Sequence, residues 1–241
     1  MIRAAMMSAA SRRSTATTPE PDPFFSQVKL LVHADTNFAD RSSVARAVTN
    51  VGGVGISGTS RFGAGAASFT TAGQRLDYAA TDAAMNLPAG DFTIEAWMRP
   101  VAFSGADSAR NVVSRNVSGN GWRLGVGELG TVTFDAGWAG GTSSFMISSS
   151  QAWTNGTWYH LAVTRQGTTY RIFRDGALVH TRADEARTLG TNANAPIQIG
   201  GQTQYSSSST PFALIDDVRI TVGTARYTAA FTPPTAAFPD S

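Results

Sequence analysis

The chain has 241 residues, of which 42% are hydrophobic and only 15% are charged, and it contains no cysteine. The missing cysteines exclude a disulfide framework and a thiolate metal site. The formal net charge is +2, and basic and acidic residues are interspersed, so no nucleic-acid surface is predicted. No apolar run approaches the ~20 residues that a membrane helix needs, and no export signal is legible.

The first 25 residues differ in composition from the rest. They are rich in Ala, Ser, Thr and Arg and end near Pro21-Asp22-Pro23, a composition that is extended or disordered on its own. We therefore predict an arm over residues 1–25 that becomes ordered by docking, on a partner subunit rather than on its own domain. Aromatic and guanidinium groups suit such an interface. The candidate contact residues are Phe24, Phe25, Arg3, Arg12 and Arg13.

From residue 26 to residue 241 the pattern is typical of short strands joined by turns. The predicted strands, in chain order, are Val28–Val32, two pieces within Ser68–Tyr78, Phe92–Met98, Trp122–Val126, Thr131–Asp135, Phe145–Ser148, Trp158–Arg165, Thr169–Arg174, Ala177–Thr181, Ile197–Ile199 and Phe212–Val222. Thr81–Leu87 is predicted to form one helical turn. Asp175-Gly176 predicts a tight hairpin, because both turn positions need positive φ. Together these features predict an all-β, antiparallel β-sandwich.

Four of these segments carry a resemblance to a known family. They are Phe92–Met98, Trp158–Arg165, Tyr170–Gly176 and Ile215–Ile220. In order and spacing they resemble the laminin G-like branch of the concanavalin A-like lectin/glucanase superfamily, over about Val28 to Phe238. The resemblance implies a jelly-roll sandwich with one curved sheet and a concave face. Residues 225–234 are similar to versions of this domain in phage and bacterial surface proteins.

The sequence does not favour an enzyme. Glycosidases of this superfamily carry two glutamates and an aspartate alternating along one strand, because the carboxylates must face one another across the scissile bond. None of the four glutamates here begins such a pattern. His160 lies in a Trp-x-His pattern that the family often shows. We interpret it as a structural strand residue, because the sequence suggests no partner carboxylate near it.

The resemblance also implies two kinds of binding residue. Lectins stack sugars on aromatic rings, so Trp122, Trp138 and Trp153, which lie near predicted turns, are candidate glycan-binding residues; packing in the core or at its edge is the alternative. Many relatives hold a structural calcium, and Asp40 and Asp216 are the candidate ligands. Turn capping or pairing with arginine is the alternative for both aspartates.

Two functions fit these features. The first is a non-enzymatic phage virion structural protein, such as a capsid decoration, head-fibre or tail-associated subunit. It would dock on other virion proteins through its arm, form a homo-oligomer and lie on the virion exterior. One domain with a short arm and no catalytic module favours this function. The second is a carbohydrate-binding module of a secreted or cell-surface protein, and a virion protein that binds host glycans would combine both.

Overall fold

The computed structural model describes residues 20–80, 85, 87, 90–103, 110–117, 120–137, 143–190, 195–203 and 209–241. Within these ranges the chain forms fifteen strands. They are β1 (Val28–Val32), β2 (Val48–Val51), β3 (Gly55–Ser57), β4 (Ala66–Phe69), β5 (Arg75–Tyr78), β6 (Phe92–Pro100), β7 (Arg110–Val117), β8 (Asn120–Val126), β9 (Thr131–Gly137), β10 (Ser143–Ser150), β11 (Tyr159–Gln166), β12 (Thr169–Arg174), β13 (Ala177–Arg182), β14 (Ile197–Gly200) and β15 (Ala213–Val222). The described residues contain no helix that is long and apolar enough to cross a membrane.

The strands form two sheets that pack face to face. Sheet A has eight strands in the order β13-β12-β11-β6-β15-β4-β3, with β1 paired to β15. Sheet B has seven strands in the order β10-β9-β8-β7-β14-β5-β2. Each pairing within these ranges is antiparallel. The predicted all-β, antiparallel sandwich is therefore confirmed.

The core lies between the two sheets and follows the alternation of the strands. In β6 the inward side chains are Phe92, Ile94, Ala96 and Met98, and all four are fully buried. Trp122 on β8 belongs to the same cluster. Burying a large apolar side chain contributes about 1.5–3 kcal/mol, so this alternation fixes which face of each strand turns inward.

The Asp175-Gly176 turn between β12 and β13 confirms the predicted hairpin. Asp175 has a φ of 50° and Gly176 a φ of 76°, the left-handed conformation that such a turn requires. The turn also lies against the C-terminal segment. A Cβ at Gly176 would lie 1.8 Å from the carbonyl oxygen of Phe231, so only glycine fits beside that backbone.

A third layer covers the outer face of sheet A. It consists of residues 20–27 and 223–241, which meet where the Asp22 N–H donates to the Ser241 oxygen at 2.9 Å. Tyr227 and Phe231 stack with their ring centroids 3.5 Å apart and lie against this face. As a result β6 is buried on both of its faces.

The third layer changes the predicted boundary of the arm. Phe25 packs against Val28, Leu31 and Phe238, and the guanidinium of Arg226 lies over the Phe24 ring. Both phenylalanines therefore contact their own domain, and their predicted contact with a partner subunit stays a prediction. Residues 20–25 belong to the sandwich, because Asp22 and Phe25 are held by it. The predicted contact residues Arg3, Arg12 and Arg13 lie outside the described residues.

Candidate functional site

The outer face of sheet A is held closed by a buried carboxylate. Glu95 on β6 is fully buried and accepts hydrogen bonds from Arg219 Nε at 2.9 Å and from the Tyr227 hydroxyl at 2.8 Å. His160 Nε2 lies 3.2 Å from the same carboxylate. Because an ionised carboxylate can only accept, His160 must donate from Nε2. His160 is a buried strand residue, and its carboxylate partner is one that the sequence did not reveal.

A second carboxylate extends this network to both terminal segments. Asp22 lies 3.1 Å from Arg219 and 2.6 Å from Arg226, so two carboxylates face two guanidinium groups and their charges cancel. Burial alone would raise the pKa of Glu95, but the Arg219 charge and the hydrogen bond from His160 lower it to about 2. The network therefore fastens the third layer over sheet A, and the face beneath that layer is closed to a ligand.

The outer face of sheet B, in contrast, carries a line of polar side chains that crosses five strands. Residues opposite one another in a sheet point to the same face, so the register identifies the members of the line. We call this line the polar row; in strand order from β5 it contains Asp77, Gln198, Ser114, Arg123 and Asp135.

The alternation of β8 and β9 places the centre of the polar row on the outer face. Trp122 and Leu124 point into the core from β8, so Arg123 between them points outward. Phe134 points inward from β9, so Thr133 and Asp135 on either side of it point outward. Thr133 thus extends the polar row along β9.

Two ion pairs hold the charges of the polar row in place. Arg123 forms an ion pair with Asp135 across β8 and β9. At the other end, Asp77 accepts hydrogen bonds from Arg75 Nε at 3.1 Å and from Gln198 Nε2 at 2.9 Å. Burial raises the pKa of Asp135, although the Arg123 charge opposes the increase.

Four polar atoms at the centre of the row lack a hydrogen-bond partner among the described residues. They are Ser114 Oγ, Thr133 Oγ1, Arg123 Nε and Asp135 Oδ1. Buried polar atoms in native proteins nearly always have a partner, which makes this part of the row a candidate contact for a ligand or ordered water. Solvent reaches the row at Arg123 and Asp135, whose side chains keep 12% and 11% of their exposure, whereas Ser114 is fully buried.

Two glycines flank Arg123 on the outer face of β8. Gly121 has no side chain beside Arg123, whereas a Cβ at Gly125 would lie 2.3 Å from the Arg110 carbonyl oxygen, so that position is filled by neighbouring backbone. Ile147 on β10 lies opposite Thr133 and is 48% exposed, which provides an apolar contact at the edge of the polar row.

The carboxylates of the polar row are too far apart for glycoside hydrolysis. Asp77 on β5 and Asp135 on β9 are separated by four strand spacings, about 19 Å at about 4.8 Å each. Glycosidases need two carboxyl groups roughly 5–9.5 Å apart. These two aspartates can bind a ligand but cannot cleave a glycosidic bond as a pair.

The predicted tryptophan platform is not present at Trp122. Its ring is fully buried in the core, so it offers no face to a sugar, and the prediction is wrong for this residue. Trp153 is half-buried at the end of the sandwich, with the Arg174 guanidinium 4.6 Å above its ring and Tyr159 4.8 Å away. A role for Trp153 in glycan binding stays a prediction. Trp138 lies outside the described residues.

Asp40 caps a turn. Its carboxylate accepts hydrogen bonds from three backbone N–H groups at 2.9–3.0 Å, those of Leu31, Ser42 and Arg46. Calcium needs six or more oxygen ligands, and the described residues contain no group of three or more His, Asp or Glu side chains that could hold a metal. Asp40 does not fit a calcium site, because its oxygens already serve the backbone.

Asp216 and Asp217 occupy an irregularity in the pairing of β15 with β6, where Asp217 has a φ of 45°. Asp216 accepts hydrogen bonds from the N–H groups of Arg61 and Phe62, and Asp217 accepts one from Phe238. Burial and the neighbouring Asp217 charge raise the pKa of Asp216 to about 7. Both aspartates therefore tie covering segments to sheet A. Turn capping, the alternative reading of these aspartates, describes the contacts seen here, and calcium binding at Asp216 or Asp40 stays a prediction without support among the described residues.

Comparison with known proteins agrees with this architecture. The family model of the concanavalin A-like lectin/glucanase superfamily, in a laminin G form, matches residues 73–225. A search of curated protein sequences finds no match.

Several solved structures of toxin binding domains are similar in fold. The binding domain of Paraclostridial Mosquitocidal Protein 1 aligns over 84% of this chain and 50% of its own, with a TM-score of 0.66 and 15% identity. The binding domain of botulinum neurotoxin serotype D aligns over 84% and 49%, with a TM-score of 0.65 and 11% identity. That of botulinum neurotoxin DC in complex with SialylT aligns over 90% and 49%, with a TM-score of 0.62 and 14% identity. The chain spans about half the length of these structures, and the likeness concerns the fold.

Proposed function

Because this chain belongs to the concanavalin A-like lectin/glucanase superfamily, we propose that it is a non-catalytic, lectin-like module that binds a glycan on the outer face of sheet B. The observation that carries the proposal is the polar row with its four atoms that lack a partner among the described residues. Sugar hydroxyl groups both donate and accept hydrogen bonds, so they suit a row that offers a donor in Arg123 Nε and an acceptor in Asp135 Oδ1. A few convergent polar groups beside an apolar contact are typical of small-ligand sites.

Two further observations support binding on this face. The outer face of sheet A is covered by the third layer, whereas the polar row keeps contact with solvent. The separation of Asp77 and Asp135 favours binding over hydrolysis. Binding domains of similar fold have been solved with SialylT and with rat synaptotagmin II. These domains are about twice as long as this chain, so they support a binding role without identifying the ligand.

A glycan array with a paired set of variants tests the proposal. Arg123→Ala combined with Asp135→Ala removes both members of the central ion pair, so no unpaired charge remains. Glu185→Ala combined with Arg187→Ala removes an ion pair in the segment that follows β13, outside the polar row, and is the control; the remaining partner of Glu185, Arg182, is 34% exposed. We expect the wild type and the control to bind the same glycans and the Arg123/Asp135 variant to bind at least ~10-fold more weakly, which corresponds to about 1.4 kcal/mol.

Two results would contradict the proposal. The first is a wild-type protein that binds no glycan on the array. The second is an Arg123/Asp135 variant that is folded, as judged by its circular dichroism spectrum, and still binds with wild-type affinity. In the second case the glycan would be bound elsewhere, and the outer face of sheet B would not be the site.

The assembly role predicted from the sequence is a second proposal. The proposal is supported by the attachment of residues 20–25 to sheet A, because the preceding residues then begin at a fixed position on the domain. We propose that residues 1–19 dock the domain on other virion proteins or on further copies of this chain. Light scattering of the full chain and of a variant that begins at Glu20 tests it. An oligomer that becomes a monomer after the deletion supports the role, and an unchanged oligomer contradicts it.

A further inference from the structure

We infer that the polar row selects neutral glycans over glycans that carry a carboxylate, and that Asp135 sets this preference. The inference rests on the proposed glycan-binding function and concerns the same face. It follows from the charges of the polar row and from the donor and acceptor types of its atoms.

The charges of the polar row are already paired. Arg123 is matched by Asp135, and Arg75 is matched by Asp77 at 3.1 Å. A carboxylated sugar would therefore meet no unpaired cation among the described residues of the row, and at either end it would approach a carboxylate, that of Asp135 or that of Asp77. All four side chains are less than a fifth exposed, and repulsion between like charges is stronger there than in bulk water. The face thus disfavours an anionic ligand.

The atoms that lack partners point to the same conclusion. Asp135 Oδ1 is an acceptor and Arg123 Nε is a donor, and they lie on residues directly opposite one another. Two neighbouring hydroxyl groups of a sugar satisfy both, since one donates to the carboxylate and the other accepts from the guanidinium. A sugar carboxylate can only accept, so it leaves Asp135 Oδ1 without a donor. Ser114 Oγ and Thr133 Oγ1 can serve either role and do not change this selection.

Asp135→Asn isolates the charge that sets the preference. The substitution keeps the shape of the side chain, removes its negative charge and leaves the Arg123 guanidinium unpaired. The variant therefore gains a cation for an acidic ligand. Asp184→Asn is the matched control, because Asp184 is exposed outside the polar row and changes the net charge by the same amount. Its φ of 59° is one that asparagine tolerates.

The experiment is isothermal titration with matched oligosaccharides that differ by one carboxylated sugar, such as lactose and 3′-sialyllactose, chosen from the array hits. We expect the wild type and Asp184→Asn to bind the neutral member at least ~10-fold more tightly, about 1.4 kcal/mol. We expect Asp135→Asn to reduce this ratio to about one or to reverse it. Raising the salt concentration should strengthen wild-type binding of the acidic member, because salt screens the repulsion.

The outcomes separate this inference from the proposed function. Equal or tighter wild-type binding of the carboxylated member overturns the inference and leaves the glycan-binding function standing. An unchanged preference in folded Asp135→Asn overturns the role of Asp135. If that variant does not fold, the salt dependence of the wild type decides, and its absence overturns the inference. Binding of neither member overturns the proposed function and the inference with it.

Discussion

Replacing Glu95 with glutamine removes one charge from the buried network over sheet A and keeps the size of the side chain. The pKa of Glu95 is about 2 in the folded protein against an ordinary value of 4.5. At about 1.4 kcal/mol per pKa unit, this difference corresponds to about 3 kcal/mol of stabilisation at neutral pH. Removing one partner of a buried ion pair costs roughly 3–5 kcal/mol in other proteins, which agrees with this value.

The pH dependence follows from the direction of this change. Because the folded-state pKa of Glu95 lies below the unfolded value, its stabilisation is complete above pH 4.5 and is lost as the pH falls towards 2. Glutamine does not titrate. The difference in unfolding free energy between the wild type and Glu95→Gln should therefore be about 3 kcal/mol at pH 7 and should shrink between pH 4.5 and pH 2.

Urea denaturation followed by tryptophan fluorescence measures this difference at pH 7, 4 and 3. Glu185→Gln is the control, because Glu185 pairs with Arg182 and Arg187, whose side chains are 34% and 44% exposed. Pairs with exposed partners contribute about 0–1 kcal/mol, so the control should change little. A difference below about 1 kcal/mol at pH 7 for Glu95→Gln, or one that stays constant down to pH 3, would refute the reasoning.

Two further predictions concern the hairpin turn and a histidine. Gly176→Ala should lower the melting temperature more than Gly167→Ala, although both glycines have positive φ, because a Cβ at 167 meets nothing within 4 Å. We expect a loss of unfolding free energy of about 1 kcal/mol for Gly167→Ala and about 2 kcal/mol more for Gly176→Ala. Equal losses would contradict this prediction. Burial lowers the pKa of His33, but its hydrogen bond to Asp217 at 2.6 Å outweighs this effect and raises it. Its stabilisation is complete below pH 6.5 and is lost as the pH rises through the folded-state pKa. Urea midpoints should therefore fall more between pH 6 and pH 9 in the wild type than in His33→Gln, in which Asp216, with a pKa of about 7, still titrates; parallel profiles would contradict this prediction.

The sequence predicted the strands that have a strong alternation or an apolar run and missed those that have neither. β2 and β3 are short and largely exposed, so no buried face imposes a pattern on them. In β7 an irregularity in the pairing with β8 places both Val112 and Val113 in the core, which breaks the period of two. The helical turn predicted over Thr81–Leu87 falls mostly outside the described residues.

Only part of the candidate site could be predicted from the sequence. The alternation of β8 shows that Arg123 points away from Trp122, and the same alternation could have excluded Trp122 as a sugar platform. The polar row itself runs across the strands and joins residues as distant in sequence as Asp77 and Gln198. Register between distant strands depends on tertiary packing, so the row could not be read from the sequence.

The contact between Asp22 and Ser241 places both ends of the domain on the side of sheet A. Any polypeptide that is joined before residue 20 or after residue 241 leaves from the side of sheet A, behind the polar row. A neighbour attached at either end would therefore not cover the proposed glycan-binding face. Copies fixed side by side through such attachments would present their polar rows in one direction. Weak binding at each single site would then give high avidity for a surface that carries many glycans.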